Sequence, residues 1–362
     1  MYRKEAYFMR QQTGHRHSIF CALPPQILRR IAENGTAEQR EAALGTMAAD
    51  STFRTLRAIR LAAPVAASAT MAVQAERQRT IFDASNGTSL PGRMARAEGA
   101  SETGDTAVDE AYDGLGDTHE FYRTALNRNS IDDQGMPLSA TVHYGRRYDN
   151  AFWDGRRMVF GDGDGVLFNR FTIAVDITAH EMTHGVTESE AQLIYANQSG
   201  ALNESLSDVF GSLVKQYRNG KQDAAEADWL IGEGLLAEDI QGTALRSMKE
   251  PGTAFDDPVL GKDPQPAHMD DFARTDQDNG GVHINSGIPN RAFYLVATSI
   301  GGFAGNRAGR IWYAALRDSR LRPNSSFRRF ARLTAVNAWN LFPDGEEHWI
   351  VRDAWRRVGV EI

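Results

Sequence analysis

The chain has 362 residues, of which 41% are hydrophobic and 24% are charged. This composition excludes a disordered chain, and the length is enough for one large core or two moderate ones. The net charge of -7 comes from 40 basic and 47 acidic residues mixed along the chain, so a nucleic-acid surface is not expected. Cys21 is the single cysteine, which excludes an internal disulfide. The charged N-terminus lacks the apolar core of a signal peptide, and no apolar run is long enough to span a bilayer.

The first sixty residues have the pattern of a small helical unit. A Pro-Pro pair opens a helix over residues 26–34, and the capping-box sequence TAEQ starts an alanine-rich helix toward residue 60. Residues 79–169 consist of short apolar segments broken by Asn-Gly, Pro-Gly and Gly-Asp turns, which is typical of strands. From residue 171 onward helical periodicity dominates, with helices predicted over 175–189, 201–218, 290–298, 305–318 and 326–340. We therefore expect a helical appendage, a β-rich lobe and a mainly helical lobe.

The pentapeptide His180-Glu181-Met182-Thr183-His184 predicts a metal site. Histidines four residues apart on a helix lie on the same face, about 6 Å apart, so both imidazoles can bind one zinc ion. Glu181 lies between them and faces the open side of the metal, where it can act as a base. The same pentapeptide occurs by chance in helices whose histidines are merely exposed, so the prediction needs a third ligand.

The next helix supplies a candidate for the third ligand. The extended pattern HExxHxxGxxH is excluded, because Thr187 and Glu190 occupy its Gly and His places. The other solution is a glutamate on the following helix, and Glu204 in GALNESLSD fits because the neighbouring leucines make that helix inward-facing. Asp208, one turn later, can accept the free N–H of a ligand histidine and so fix its tautomer.

The segment HEMTHGVTESEAQLIYANQSGALNESLSDVFG resembles the signature of the thermolysin-like neutral metallopeptidases. The blocks YDNAFWDG, LRSM and DNGGVHINSG extend the resemblance from about residue 79 to the end of the chain. The resemblance implies an α+β fold with two lobes, β-rich at the N-terminal side and mainly α-helical at the C-terminal side, joined by a central zinc-binding helix. The short helical appendage is similar to the propeptides of protealysin-like members.

The resemblance also implies catalytic roles. Glu181 would take a proton from water and pass it to the leaving nitrogen. Tyr195 and His283 would stabilise the oxyanion, and Asp278 would orient His283. Whether Glu181 or His283 activates the water is left open.

Substrate-binding residues are implied in the same way. Asn150 and the carbonyl of Ala151 would hold the peptide backbone, while Arg246 would bind the carbonyl beyond the cleaved bond. Cleavage before Leu, Phe, Ile or Val is expected, because the pocket for the residue after the cut would be apolar. Its lining would be Phe168, Ile177, Ile231 and Leu245.

The chain departs from the family at a double calcium site beside the active-site helix. Asp176, Asp228 and Glu233 persist at the matching places, but Lys215 and Leu230 stand where carboxylates would be. A lysine ammonium among three carboxylates can neutralise them as a cation would. We therefore predict that the double calcium site is absent and that Lys215 substitutes for it.

Cys21 lies in the sequence FCALPP, in which two prolines keep the chain extended. A zinc ion with an open position can bind a thiolate, which displaces the catalytic water. Protealysin-like precursors carry a proline-flanked motif of this kind, so the resemblance implies that Cys21 is a zinc ligand in a latent zymogen. A buried core cysteine is the alternative.

These observations predict four parts of the chain. A helical propeptide would span 1–55, a linker or processing region 56–78, the β-rich lobe with the central helix 79–189, and the helical lobe 190–362. Maturation is expected to cut within residues 49–75, because exposed linkers are favoured cleavage sites.

The predicted function is a zinc endopeptidase made as a latent zymogen, which cleaves on the amino side of bulky hydrophobic residues. An exopeptidase would need acidic residues that recognise a free amine, and an inactive zinc-binding protein of the same fold is the third hypothesis. Expected partners are peptide or protein substrates and the chain's own propeptide as inhibitor; a protein inhibitor is left open, and no nucleic acid or membrane is expected. Without a recognisable signal peptide, we expect a precursor in the bacterial cytoplasm or export by an unconventional route.

Overall fold

The structure is a computed structural model that describes residues 20–62 and 76–362. Residues 1–19 and 63–75 lie outside the described residues, and with them part of the predicted processing region. The first described part, called here the N-terminal segment (20–62), contains strand β1 (Phe20–Cys21) and helices α1 (Pro25–Asn34) and α2 (Ala37–Ala62).

Helix α2 begins with the predicted capping box. The Gln39 N–H donates to Thr36 Oγ1 over 3.3 Å, and the Thr36 N–H donates to Gln39 Oε1 over 2.8 Å. The helix continues to Ala62, past the predicted end of the propeptide at residue 55. Its last turns are rich in Ala, Arg and Leu, which favour helix, and no Gly or Pro interrupts them before Pro64.

A six-stranded mixed sheet forms the β-rich lobe. Strand β1 of the N-terminal segment is joined there by β2 (Arg79–Asp83), β3 (Arg93–Ala97), β4 (Leu138–Val142), β5 (Ala151–Trp153) and β6 (Met158–Phe160). The strand order is β1-β5-β6-β4-β2-β3. Strand β1 pairs antiparallel with β5, with Cys21 opposite Phe152. The N-terminal segment therefore adds an edge strand to the sheet, as an extended peptide does in β-augmentation.

The β-rich lobe also contains a helix that the sequence analysis interpreted as strands and turns. Helix α3 spans Thr106–Leu126, and the Asp105 side chain caps it by accepting from the N–H groups of Ala107 and Val108. Gly114 in its middle lowers the helix propensity of the sequence. Packing explains its presence, because a Cβ there would lie 3.1 Å from the Thr178 side chain of the next helix.

The remaining helices form the central helix and the helical lobe. They are α4 (Val175–Glu190), α5 (Asn197–Arg218), α6 (Asp278–Asn285), α7 (Gly287–Ile300), α8 (Ala308–Leu316), α9 (Phe327–Leu341) and α10 (Glu347–Arg357). Two ladders of two strands accompany them, β7 (Leu230–Ile231) with β8 (Arg246–Ser247) and β9 (Asp256–Asp257) with β10 (Gly261–Lys262). Helices α6 and α10 were missed by the periodicity analysis.

One hydrophobic core connects the three parts of the molecule. It includes Leu23 and Ile27 of the N-terminal segment, Ile177 of α4 and Val209 of α5, all buried. The N-terminal segment is thus packed as part of the core. None of the helices in the described parts of the chain is both long and apolar enough to cross a membrane.

Candidate metal centre and cleft

Two histidines and one glutamate from adjacent helices converge at the centre of the molecule. The Nε2 atoms of His180 and His184 on α4 lie 3.0 Å apart. The Glu204 carboxylate on α5 lies 3.4 Å from His180 Nε2 and 3.5 Å from His184 Nε2. All three side chains are buried, and this is the group that offers converging metal ligands among the described residues. Two imidazole nitrogens and one carboxylate oxygen are a donor set of catalytic zinc.

The outer nitrogen of each imidazole faces an acceptor. His180 Nδ1 lies 2.8 Å from Asp208 Oδ1. His184 Nδ1 lies 2.8 Å from Asn203 Oδ1 and 3.0 Å from Ser207 Oγ. When Nδ1 donates to these oxygens, the lone pair of Nε2 is left for a metal ion. The residues present therefore fit zinc in both the donor atoms and their support.

Glu181 lies between the two histidines on α4 and is fully buried. Neither of its carboxylate oxygens has a hydrogen-bond partner within ordinary geometric limits. Burial raises the pKa of Glu181 well above its usual value, and the neighbouring His180 offsets only part of that effect. A buried carboxyl without a partner is costly, which points to a functional role.

His283 is held by a left-handed turn at the start of α6. Asp278 and Asn279 have φ of 53° and 51°, and Gly280 follows with φ of 86°. A Cβ at Gly280 would lie 2.4 Å from Asn197 Oδ1, so the turn requires glycine there. The turn places Asp278 Oδ1 2.6 Å from His283 Nδ1, and Asp278 Oδ2 accepts the His283 N–H over 2.9 Å.

His283 is poised to donate from both ring nitrogens. Burial alone would lower the pKa of His283, but the Asp278 and Glu204 carboxylates raise it well above its usual value. Tyr195, whose hydroxyl donates to Glu204, lies with its oxygen 3.2 Å from His283 Nε2. The structure thus brings Tyr195, His283 and Asp278 to the metal cluster.

The N-terminal segment crosses this site as an extended chain. The Ala22 N–H donates to the Ala151 carbonyl over 3.0 Å. The Leu23 N–H donates to Asn150 Oδ1 over 2.9 Å. The two groups that were expected to hold a substrate backbone therefore hold the backbone of the chain itself.

Arg246 and His283 complete the contacts to this extended chain. Arg246 Nη1 donates to the Ala22 carbonyl over 2.9 Å, while its Nε and Nη2 bind Asp208 over 2.9 and 2.8 Å. His283 Nε2 lies 3.0 Å from the Cys21 carbonyl oxygen. The carbonyl of Cys21 therefore lies beside the predicted oxyanion donors, and that of Ala22 beside Arg246.

The Cys21 thiol, predicted as a zinc ligand of the precursor, is not among the three converging ligands in the structure. The buried thiol packs with Tyr144, Tyr148 and Phe152, and its Sγ lies 3.7 Å from the Leu23 carbonyl oxygen. The reason is the pairing of β1 with β5, because backbone and side chain of a strand residue point in different directions. Here the backbone carbonyl of Cys21 faces His283, and the thiol lies outside the group of converging metal ligands.

The predicted apolar pocket residues are all buried, and three of them gather at Gly232. A Cβ added there would lie 3.1 Å from the Leu245 side chain and 3.5 Å from that of Ile177. Leu245 also donates its N–H to the Ile231 carbonyl over 2.9 Å. The fourth residue, Phe168, packs against Phe171, and their ring centroids are 6.0 Å apart.

Lys215 lies among the three carboxylates named in the sequence analysis. Its Nζ is 2.8 Å from Asp228, 3.1 Å from Glu233 and 3.8 Å from Asp176. Burial raises the pKa of Asp176 to about 6, although the charge of Lys215 opposes the shift. The ammonium thus occupies the position between these carboxylates.

Several polar residues of the site were not identified from the sequence. Asn203 and Ser207 face His184, and Asn290 Nδ2 donates to Asp208 Oδ2 over 2.9 Å. Asn203 and Ser207 are one turn apart on α5, on the side that carries Glu204. The four-residue spacing of Asn203 and Ser207 beside Glu204 was the available sequence signal. Because Ser and Asn are common on exposed helix surfaces, this spacing alone does not indicate a site.

Asp149, next to Asn150, should make stability fall with pH. Its carboxyl is buried without a hydrogen-bond partner of ordinary geometry, and burial, together with Asp164, raises its pKa from 3.8 to about 8. The folded state therefore keeps a proton that the unfolded chain loses. The stabilisation is complete below about pH 4 and is lost as the pH rises through about 8, by up to about 1.4 kcal/mol per pH unit.

Asp149→Asn should flatten this slope, measured by urea unfolding at pH 5, 6, 7 and 8 in a Glu181→Gln background, which lacks the candidate base. The exposed Asp239→Asn serves as the matched control. Parallel pH profiles for Asp149→Asn and its parent would contradict the prediction.

Comparison with known proteins assigns the chain to a family. The model of the thermolysin metallopeptidase catalytic domain matches residues 34–188, and that of the thermolysin metallopeptidase alpha-helical domain matches residues 191–360. An extracellular metalloprotease of Pectobacterium carotovorum is 54% identical over 95% of this chain and 97% of its own length. Thermolysin of Alicyclobacillus acidocaldarius is 38% identical over 77% of this chain and 50% of its own length.

A solved structure gives the same result. The precursor of protealysin, a metalloproteinase from Serratia proteamaculans, superposes with a TM-score of 0.86 and 54% sequence identity, covering 94% of this chain and 99% of that one. The fold and site are those of a zinc metalloprotease. The chain belongs to the thermolysin metallopeptidase family, which confirms the predicted family and two-lobed α+β fold.

Proposed function

We propose that the chain is a zinc endopeptidase made as a latent precursor, in which the N-terminal segment fills the substrate cleft. The observation that carries the proposal is the extended backbone from Cys21 to Leu23. Its peptide groups are bound by the cleft residues beside the His-His-Glu cluster, in the manner expected of a substrate. A segment that occupies these groups excludes other peptides from them.

A bound zinc ion, held by His180, His184 and Glu204, supplies Lewis-acid chemistry that polarises the peptide carbonyl and makes water more acidic. The chain's own base for the attacking water is Glu181, which lies buried between the two histidines on the same helix. A carboxylate at this place can take a proton from water and deliver it to the leaving nitrogen.

Developing charge on the carbonyl oxygen is met by donors already in place. His283 donates to the Cys21 carbonyl in this structure, and the Tyr195 hydroxyl lies within 3.2 Å of the same ring nitrogen. Asp278 fixes the His283 ring, so this donor needs no reorganisation as the oxyanion forms. Arg246, itself held by Asp208, binds the next carbonyl and sets the peptide register.

The preference for bulky apolar residues after the cut is supported by the buried group of Ile177, Ile231 and Leu245. The processed form should cleave a peptide with Leu after the cut much faster than its Lys counterpart, and phenanthroline should block cleavage. The unprocessed chain should be slower on both peptides. Equal cleavage rates for the Leu and Lys peptides would contradict the proposed specificity. Full activity of the unprocessed chain would contradict the proposed latency.

Removal of calcium should leave the protein's stability unchanged, because Lys215 fills the position between Asp176, Asp228 and Glu233. The Tm should be the same with added calcium and with a calcium-selective chelator that spares zinc. Lys215→Met should cost about 2 kcal/mol of unfolding free energy, below the 3–5 kcal/mol of a fully buried pair because Asp228 and Glu233 are partly exposed.

Lys221→Met is the matched control, since Lys221 is exposed on the same part of the chain. A Tm that rises with calcium in the parent protein would show that a calcium site persists.

A further inference from the structure

Helix α2 of the N-terminal segment places the Asp50 carboxylate against the β-rich lobe. Asp50 is only 2% exposed. The Tyr148 hydroxyl donates to its Oδ1 over 2.5 Å, and Asn150 Nδ2 donates to its Oδ2 over 3.1 Å. The Tyr148 hydroxyl and the Asn150 amide are neutral donors, and each binds one oxygen of the Asp50 carboxylate. Hydrogen bonds to a charged acceptor are stronger than those between neutral groups.

This contact shares a side chain with the cleft. The same Asn150 amide that donates to Asp50 accepts the Leu23 N–H through its Oδ1. One amide therefore holds an extended backbone with one end and a carboxylate with the other. Asn150 thus links Asp50 to the Ala22–Leu23 peptide group, whose carbonyl is bound by Arg246.

The surroundings of Asp50 are aromatic and closed. Tyr144, Tyr148 and Phe152 are each at most 3% exposed. Phe53, one turn after Asp50 on α2, packs on Tyr144 and Phe152 with ring distances of 5.5 and 4.5 Å. In such a site a charged acceptor is bound more strongly than in water, and a donor without an acceptor is costly.

Departure of the N-terminal segment would leave the Tyr148 hydroxyl and Asn150 Nδ2 without this acceptor. We propose that in the processed protein these two donors form a carboxylate-binding subsite for the peptide on the leaving-group side of the cut. This inference rests on the proposed function, in which the N-terminal segment occupies the substrate cleft.

The bound backbone gives the position of the carboxylate. Cys21 provides the carbonyl beside His283, Ala22 the first residue beyond it and Leu23 the second. Because Asn150 joins the Leu23 N–H to the carboxylate, the subsite takes an acidic group from the second or third residue after the cut. That group is an Asp or Glu side chain, or the terminal carboxylate of a peptide that ends there.

A test on the full chain uses a small carboxylate as the ligand. In a Glu181→Gln background, Asp50→Ala leaves the two donors without their partner, and Asp50→Asn serves as the folding control. Acetate should raise the Tm of the Asp50→Ala chain more than chloride at equal ionic strength. Adding Tyr148→Phe should remove this difference, whereas Tyr144→Phe should keep it. An equal response to acetate and chloride would overturn the carboxylate site.

A second test uses the processed protein and matched peptides. One pair of peptides carries Glu or Gln at the second residue after the cut, and another pair carries Glu or Gln at the third residue. The last pair ends at the third residue, with either a free carboxylate or an amide. We expect kcat/KM to favour the acid about tenfold in at least one pair, equivalent to about 1.4 kcal/mol. Tyr148→Phe should reduce that ratio to about one, and Tyr144→Phe should leave it unchanged.

The outcomes separate the two proposals. Cleavage without any preference for acid would overturn the subsite and leave the proposed endopeptidase in place. Failure to cleave any of the peptides would overturn the proposed function, and the acetate measurement would then decide on the carboxylate site alone.

Discussion

Glu181→Gln should lower kcat/KM on a peptide substrate roughly 10²–10⁴-fold, the range for loss of a general base. Glu181 is the buried carboxyl of the site without a hydrogen-bond partner of ordinary geometry, and its pKa is raised by burial. The amide of Gln has nearly the same shape but cannot take a proton. The measurement is hydrolysis of casein and of a short peptide by the processed form.

The control for this variant is Glu238→Gln, an exposed position where the same chemical change should have no effect. Zinc content of the Glu181→Gln protein should equal that of its parent, because Glu181 is not among the converging ligands. The processed form of the variant should be prepared with a small amount of active enzyme that is removed before the assay. Residual activity within tenfold of the parent would assign the base to another residue, with His283 as the next candidate.

Glu204→Gln should remove both zinc and activity. Glu204 is the only anionic member of the three converging ligands, and its carboxylate lies 3.4 and 3.5 Å from the two imidazole Nε2 atoms. Without it the site keeps two neutral nitrogens and a weak amide oxygen. Dialysed protein should contain about one zinc per chain in the parent and almost none in the variant.

Asp208→Asn should give an intermediate result. Asp208 accepts from His180 Nδ1 and pairs with Arg246, so its loss affects ligand orientation without removing a ligand. Zinc affinity should fall about 10- to 100-fold, as for other partners of metal-bound histidines. The exposed Glu226→Gln should retain full zinc content.

For the Glu204→Gln prediction, a variant protein that keeps its zinc would show that the third ligand lies elsewhere.

The metal cluster could be predicted because its signal is local. Two histidines four residues apart on one helix and a glutamate on the next helix have few other arrangements, and the helices at 175–189 and 201–218 were predicted within a few residues of α4 and α5. The capping box at the start of α2 was predictable for the same reason, since both of its bonds join residues three apart.

Helix α3 was not predicted, because its sequence signal is weak and its stability comes from tertiary packing. Gly114 and Gly116 in its middle lower helix propensity, while buried residues such as Ala111 and Leu115 pack it into the lobe. The left-handed turn at Asp278 was likewise hidden. Its sequence DNGG suggests a turn but does not show that the turn places a carboxylate against His283.

The role of Cys21 shows the limit of chemical inference from one residue. A lone thiol beside two prolines suggested a zinc ligand, but the pairing of β1 with β5 decides which atoms face the site. That register depends on contacts between residues about 130 positions apart and leaves the thiol against Tyr148 and Phe152. The contact of Asp50 with Tyr148 spans 98 positions and was invisible for the same reason.

X-ray absorption at the zinc edge of the full-length, zinc-loaded chain tests the account most directly. Zinc bound by His180, His184 and Glu204 should show only nitrogen and oxygen neighbours, at about 2.0–2.2 Å. The Cys21→Ala chain should give the same spectrum. A sulfur neighbour at about 2.3 Å that disappears in Cys21→Ala would contradict the account, because the thiol and not the backbone of the N-terminal segment would then close the site.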